Sequence, residues 1–232
     1  MTSRLLFLLA TIWLCLQTFA QQPLSFSKKK TIFKDSFSKK LNPNDWVAET
    51  LPLDSNRVYI SKGRLWLDTK DGVTLWYRRP LKGNYCIEYK RCVVVDSGMN
   101  DRLSDLNNFW QAGDPQKENL FTRDGVFEDY NNLQLYYAGI GGNYNSTSRF
   151  RKYAGKGEKP VIGEYLDTTH LLKANYVYTI TIVFLNGTTQ LWVDGVPWFT
   201  YKDPQPLPPG YFGLRSTKSR QWVDDLKVWE IE

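Results

Sequence analysis

The sequence predicts an all-β domain folded as a two-sheet antiparallel sandwich, and three observations carry that expectation. Apolar and polar residues alternate in short runs at 64–68, 73–78, 85–95, 133–138, 176–185, 189–194 and 222–231, the two-residue period of strands with one buried face. Turn chemistry separates the runs, at Lys62-Gly63, Asp71-Gly72, Lys82-Gly83, Asn186-Gly187, Asp194-Gly195 and Pro208-Pro209-Gly210. Helical periodicity is nearly absent, and Leu171-Leu172 allow at most one turn. Many short strands with close connections leave a sandwich or a closed barrel. Strand pattern at both ends, 31–37 and 222–231, favours the sandwich, with its terminal strands side by side in one sheet.

Along the chain, residues 1–20 hold one charge, Arg4, an apolar run at 5–16, and Thr18-Phe19-Ala20 before Gln21. This is the pattern of a secretory signal cut after Ala20, so the mature protein is expected to be secreted or periplasmic. The apolar run falls short of the ~20 residues that cross a bilayer, and bulky Leu14 before Cys15 argues against lipidation. No transmembrane anchor is expected. Residues 21–30 read as a flexible basic linker, and 31–232 as a single domain. Within it, Asn186-Gly187 and Asp194-Gly195 are two-residue hairpin loops, which make 176–201 a meander.

Thirty Lys and Arg stand against 24 Asp and Glu, and loss of the signal lowers the net charge only from +6 to +5. A basic exported protein attracts polyanions. Outside the cell these are acidic polysaccharides and membrane surfaces, which excludes nucleic acid as the expected partner. The competing reading is a solvated lysine surface supplied by residues 28–30 and 39–40. Cys86 and Cys92 sit six residues apart on one strand, roughly 20 Å at full extension, too far to bridge. They are expected as buried small hydrophobes. One histidine cannot furnish a zinc site.

Residues 98–153 mix Asp, Asn and Arg with Trp and Tyr, in GMNDRLSDLNNFWQ and YYAGIGGNYNSTSRFRKY. That combination suits saccharides, because aromatic faces stack on pyranose rings while amides, carboxylates and guanidinium groups satisfy hydroxyls. The competing reading is a Gly-rich loop with incidental aromatics.

The motifs FKDSF, GRLWLDT, GVTLWYRRPLKGNYCIEY, LWVDGVPWFTY, GYFGLRS and WVDDLKVWEI resemble the concanavalin A-like jelly-roll superfamily across nearly the whole mature chain. The block MNDRLSDLNNFWQAGDP with LYYAGIGGNYNSTSRFRKY is similar to an uncharacterised exported bacterial family associated with polysaccharide utilisation. The resemblance implies a glycan lying along one curved sheet. A strand crossing that sheet would turn Leu133, Leu135 and Tyr137 inward and leave Gln134 and Tyr136 facing the groove. Arg149, Arg151 and Tyr153 would share the groove face, with Phe150 toward the core.

Two groove arginines suit a uronate, since a guanidinium pairs with the carboxylate and acidifies the adjacent C5 proton. A phenol or imidazole then completes β-elimination without metal. The expected catalytic residues are Tyr136, His170 and Arg149. Arg151, Asn107, Trp110, Tyr144, Asn143, Asp101, Arg102, Asp105 and Gln134 are the expected substrate contacts. Hydrolysis needs two carboxylates roughly 5 to 10 Å apart. The Glu-x-Asp-x-Glu string of laminarinase-type jelly rolls is absent, which leaves Asp101 with Asp105, Glu128 with Asp129, and Glu164. No cofactor is expected. Jelly rolls often hold a structural calcium near the terminal strands, where Asp35, Asp224 and Asp225 sit, although paired surface carboxylates beside Lys227 explain them as well. The leading expectation is a lyase acting on uronate-containing polysaccharide or oligosaccharide. A glycoside hydrolase, a glycan-binding module without catalysis and an adhesion domain are the alternatives.

Overall fold

The computed structural model describes residues 21–232, so the signal expected at 1–20 lies outside the described residues. The strands in chain order are β1 (Lys28–Asp35), β2 (Trp46–Thr50), β3 (Asn56–Ser61), β4 (Arg64–Thr69), β5 (Val73–Tyr77), β6 (Tyr85–Val94), β7 (Leu106–Gly113) and β8 (Gln134–Gly141), followed by β9 (Thr147–Ala154), β10 (Val161–Tyr165), β11 (Tyr178–Leu185), β12 (Thr188–Val193), β13 (Val196–Lys202), β14 (Tyr211–Ser216) and β15 (Ser219–Ile231). They form two antiparallel sheets of a jelly-roll sandwich. One runs β13-β12-β11-β6-β15-β4-β3, with β1 also paired to β15; the other runs β10-β9-β8-β7-β14-β5-β2.

The terminal strands pair as expected, with Asp35 opposite Leu226. Strand β1 begins at Lys28, inside the stretch expected to be a flexible linker. Ser27 and Glu232 exchange backbone hydrogen bonds, and Gln190 holds the Gln22 carbonyl and the Leu24 amide. Backbone pairing therefore orders a segment whose charges had suggested solvation. Cys86 and Cys92 are free and buried; burial pushes their thiols up to about 12 and about 11.

The core between the sheets joins Leu65, Leu67 and Ile87 of one to Leu75, Trp110, Tyr136, Ala138 and Phe150 of the other. A second apolar cluster, including Trp76, Phe109, Tyr130, Leu135, Tyr137 and Tyr153, covers part of the outer face of the second sheet. It exists because the 114–133 connection folds back over that face and contributes Leu120, Tyr130 and Leu133. The period expected for β8 is present but its sense is reversed. Tyr136 enters the inter-sheet core and Tyr137 faces outward, since a strand covered on both sides carries apolar residues on both.

Two cations, Arg91 and Arg215, are buried in the interior among the described residues, and the first of them joins the sheets. Arg91 of β6 is fully buried and donates to the Gln221 Oε1 at 2.7 Å, the Asn107 carbonyl at 2.9 Å and the Arg215 carbonyl at 2.6 Å. Burial pulls its guanidinium down to about 10, so the charge remains at neutral pH. Asn107 and Arg215 are register partners on β7 and β14, and Arg91 therefore binds one sheet to the other across that pair. Arg91→Met strands these acceptors in a dry interior and is expected to cost about 3 kcal/mol, read as a lower urea midpoint at unchanged denaturant slope.

Candidate functional site

A cavity of about 200 Å³ opens on the outer face of the second sheet. Its floor comes from β7, β8 and β9, where side chains two residues apart share a face. Asn107, Gly139 and Arg149 lie in one cross-strand row, and Tyr137 and Arg151 in the next. Tyr153 continues the β9 face, and Phe127 and Lys159 complete the lining used below.

Gly139 shapes the floor. A Cβ there would collide with the Tyr137 hydroxyl and lie 2.6 Å from Asn107 Oδ1. Its absence lets the Tyr137 phenol lean across the strand and donate to Asn107 Oδ1 at 3.0 Å. The Tyr137 and Tyr153 ring centroids are 6.0 Å apart. The Tyr153 hydroxyl is buried and has no hydrogen-bond partner among the described residues. Burial pushes Tyr153 up to about 12 against the neighbouring Arg151 and Arg215, and raises Tyr137 as well, aided by Tyr153 and Asp105. Both phenols are hydroxyl donors at neutral pH.

The lining carries three cations and one carboxylate. Arg149 pairs with Glu164 of β10. Arg151 donates to the Lys159 carbonyl at 2.7 Å, and Lys159 Nζ donates to Asn131 Oδ1 at 2.6 Å while lying 5.5 Å from the Phe127 ring centroid. Among the described residues, Arg151 and Lys159 make no ion pair. Asp105 is the lone carboxylate; it pairs with Arg102 and accepts from the Ser104 hydroxyl at 2.7 Å.

The wall that brings Phe127 into place hangs on Glu49 of β2, which is buried. Its carboxylate accepts from the Trp76 indole at 2.7 Å, the Tyr130 hydroxyl at 2.8 Å and the Arg123 amide at 2.8 Å. Burial raises its pKa above the ordinary value, opposed by these donors. Buried Arg215 lies 4.9 and 5.0 Å from the Phe127 and Tyr130 rings and donates to Gly125 O at 2.9 Å. A wider depression of about 460 Å³ adjoins the cavity, sharing Asp105, Phe127, Asn143 and Thr217 with it.

The family model described as "Domain of unknown function (DUF6250)" matches residues 67–226, a span that includes these lining residues. The chain belongs to the DUF6250 family. No curated protein matches it. Among solved structures, a Bacillus subtilis protein of unknown function with a galectin-like fold is similar at 13% identity and a TM-score of 0.72, over 89% of this chain and 99% of that one. An endo-β-1,3-glucanase from Pyrococcus furiosus is similar at 12% identity and a TM-score of 0.62, over 88% and 95%. The carbohydrate-binding module CBM66 from Bacillus subtilis follows at 11% and 0.56, over 80% and 96%. At these identities the likeness shows the concanavalin A-like jelly-roll fold.

Of the residues expected at the site, the DUF6250 cavity gathers Asn107, Asp105, Asn143, Arg149 and Arg151, and the adjoining depression adds Arg102 and Tyr144. The others lie elsewhere. Tyr136 is in the inter-sheet core, donating to Asp203 Oδ2 at 2.5 Å and accepting from the Leu207 amide at 3.3 Å. Trp110 is also there, donating to Thr189 Oγ1 at 2.9 Å. His170 stacks on Tyr165 with centroids 3.6 Å apart and bonds Asp167 at 2.8 Å, away from the cavity lining. Asp101 holds Arg220 at 2.6 Å and the Gly98 amide at 2.9 Å, closing its own loop. Gln134 begins β8 on the same parity as Tyr136 and does not line the cavity.

Tyr137, Phe127 and Lys159 were missed. Gly139 within a strand was the available signal for Tyr137, since such a glycine marks a close approach. Nothing local marks Phe127 or Lys159, which the 114–133 and 155–160 connections deliver. The calcium expectation meets an ill-suited donor set. Asp225 lies between Lys227 at 2.7 Å and Lys90 at 3.6 Å, while Asp35 accepts from the Phe37 amide and the Trp46 indole.

Gly139→Ala is expected to destabilise the fold by about 1–3 kcal/mol through overpacking, and a structure of the variant should show the Tyr137 phenol displaced from Asn107. Glu49 sets a pH dependence. Its folded pKa is raised, so the stability it contributes is full below the ordinary glutamate value of 4.5 and is lost as pH rises through the folded value. Thermal melts between about pH 4 and pH 8 should show that decline in the parent and a flatter profile in Glu49→Gln.

Proposed function

We propose that this DUF6250 protein is an exported protein that binds a uronate-bearing saccharide in the cavity and cleaves it by β-elimination. One observation carries the reading: three cationic side chains converge with two buried phenols in a cavity whose single carboxylate is already paired. Arg151 and Lys159 supply the charge that holds a uronate carboxylate, with Arg149 beside them, and this neutralisation acidifies the C5 proton. In the elimination a base removes that proton, its electron pair forms the C4–C5 double bond, the C4–O bond breaks, and an acid protonates the departing oxygen. Tyr153, whose hydroxyl is unpartnered, is the base through the minor phenolate form that Arg151 and Arg215 favour, and Tyr137, held by Asn107, is the acid that protonates the departing oxygen. They take over the roles that the sequence had suggested for Tyr136 and His170. Hydrolysis by paired carboxylates fits less well, since Asp105 stands alone in this lining. The fold shared with a glucanase and a carbohydrate-binding module is compatible with carbohydrate as the ligand class and does not choose the reaction.

The second reading is a glycan-binding module without turnover, favoured by the burial that holds both phenols protonated. Purified protein incubated with pectic, alginate-like and glycosaminoglycan chains should produce the ultraviolet absorbance of a conjugated unsaturated uronate. Tyr153→Phe should lower that rate by about 100-fold or more while leaving substrate affinity within a few fold. Binding with no absorbing product across the panel establishes the second reading, and neutral reducing sugar without absorbance would redirect the assignment to a hydrolase.

A further inference from the structure

The depression beside the cavity differs from it in charge and in what it exposes. We infer that it is a second sugar subsite, that Tyr144 is its stacking platform, and that the ligand is a mixed glycan in which a uronate in the cavity is joined to a neutral sugar. The inference rests on the uronate reading of the cavity and names the unit next to it.

Tyr144 is 81% exposed and lies in a left-handed turn, with φ 59° and ψ 45°. A bulky side chain at positive φ is costly, and with so little of it buried, core packing does not account for a tyrosine there. The turn is held from outside. Asn145 exchanges two hydrogen bonds with the Leu172 backbone, at 3.0 and 2.8 Å, and the Asp105 amide donates to the Gly141 carbonyl at 3.2 Å. The Arg102 guanidinium lies 5.1 Å from the Tyr144 ring centroid, steadying one side of the ring while most of its surface stays in solvent. An oriented, exposed aromatic beside a polar cavity is suited to a pyranose face.

The two spaces share Asp105, Phe127, Asn143 and Thr217, so they abut, and adjacent units of one glycan are placed to occupy both. The charge changes between them. The cavity sets three cations against Asp105. The depression sets Arg102 and Lys218 against Asp71, Asp105 and Glu128; with Arg102 paired to Asp105, Lys218 faces two carboxylates. That surplus repels a second uronate and accepts hydroxyls, which selects a neutral sugar.

Titration calorimetry with three probes tests this: a free uronic acid, a uronate–uronate disaccharide, and an aldobiuronic acid joining a uronate to a neutral hexose. The aldobiuronic acid should bind roughly tenfold or more tightly than the other two. Tyr144→Gly, which removes the ring and suits the left-handed backbone, should erase that advantage, leave uronic acid binding unchanged and keep or raise the melting temperature. If the uronic acid binds but the aldobiuronic acid gains nothing, or Tyr144→Gly leaves the gain intact, the subsite is overturned and the cavity reading survives. If none of the three binds, both are overturned.

Discussion

The Arg91 guanidinium and the Gln221 amide tie the two sheets together at the place where the cleft is built. Arg91 reaches from β6 to the carbonyls of Asn107 and Arg215. Gln221 of β15 accepts from Arg91 and donates to the carbonyls of Ser104 and Asp105 at 3.2 Å. Four backbone positions of the second sheet and its entry loop are thereby held from the first. Two of them, Asp105 and Asn107, present side chains to the cavity. A charge without a counter-carboxylate is costly to bury, and it is tolerated here because oriented carbonyls supply the stabilisation that water would have given.

The second constraint is the two-sided burial of the second sheet. The inner face meets the opposite sheet, and part of the outer face meets the 114–133 connection anchored on Glu49. What remains open is a polar window bounded by aromatic rings. Burial at its edges raises the Tyr137 and Tyr153 phenols, while Arg151 and Lys159 are held in place by hydrogen bonds that leave their charges without a carboxylate partner. The cleft therefore combines donors and positive charge in a setting that water only partly reaches, where both act more strongly than on an open surface.

Much of the architecture was legible in residue order. Strand periodicity and Gly-containing turns marked most of the ladder, and the shared parity of Arg149, Arg151 and Tyr153 placed them correctly on one face with Phe150 opposite. Tyr136 and Tyr137 show where that reading runs out. Alternation says that adjacent tyrosines point to opposite faces, yet both are buried, because each face of β8 is covered. Apolar character then carries no information about which face is the interior. Trp110 followed the same rule on β7, and His170 was favoured for being the sole histidine, a fact about composition with no spatial content.

Local chemistry along the chain determined the strands, the turns, the antiparallel sandwich and the cationic, aromatic character of the middle segment, because backbone period and side-chain type are properties of neighbours in sequence. Only the tertiary structure decided which phenols meet the arginines. That depends on the 114–133 connection crossing the outer face, on Lys159 arriving from the β9–β10 connection, and on Gly139 leaving room for Tyr137 to reach Asn107. These are contacts between residues far apart in the chain, and a strand pattern read in isolation cannot tell a face covered by a distant loop from one covered by the opposing sheet.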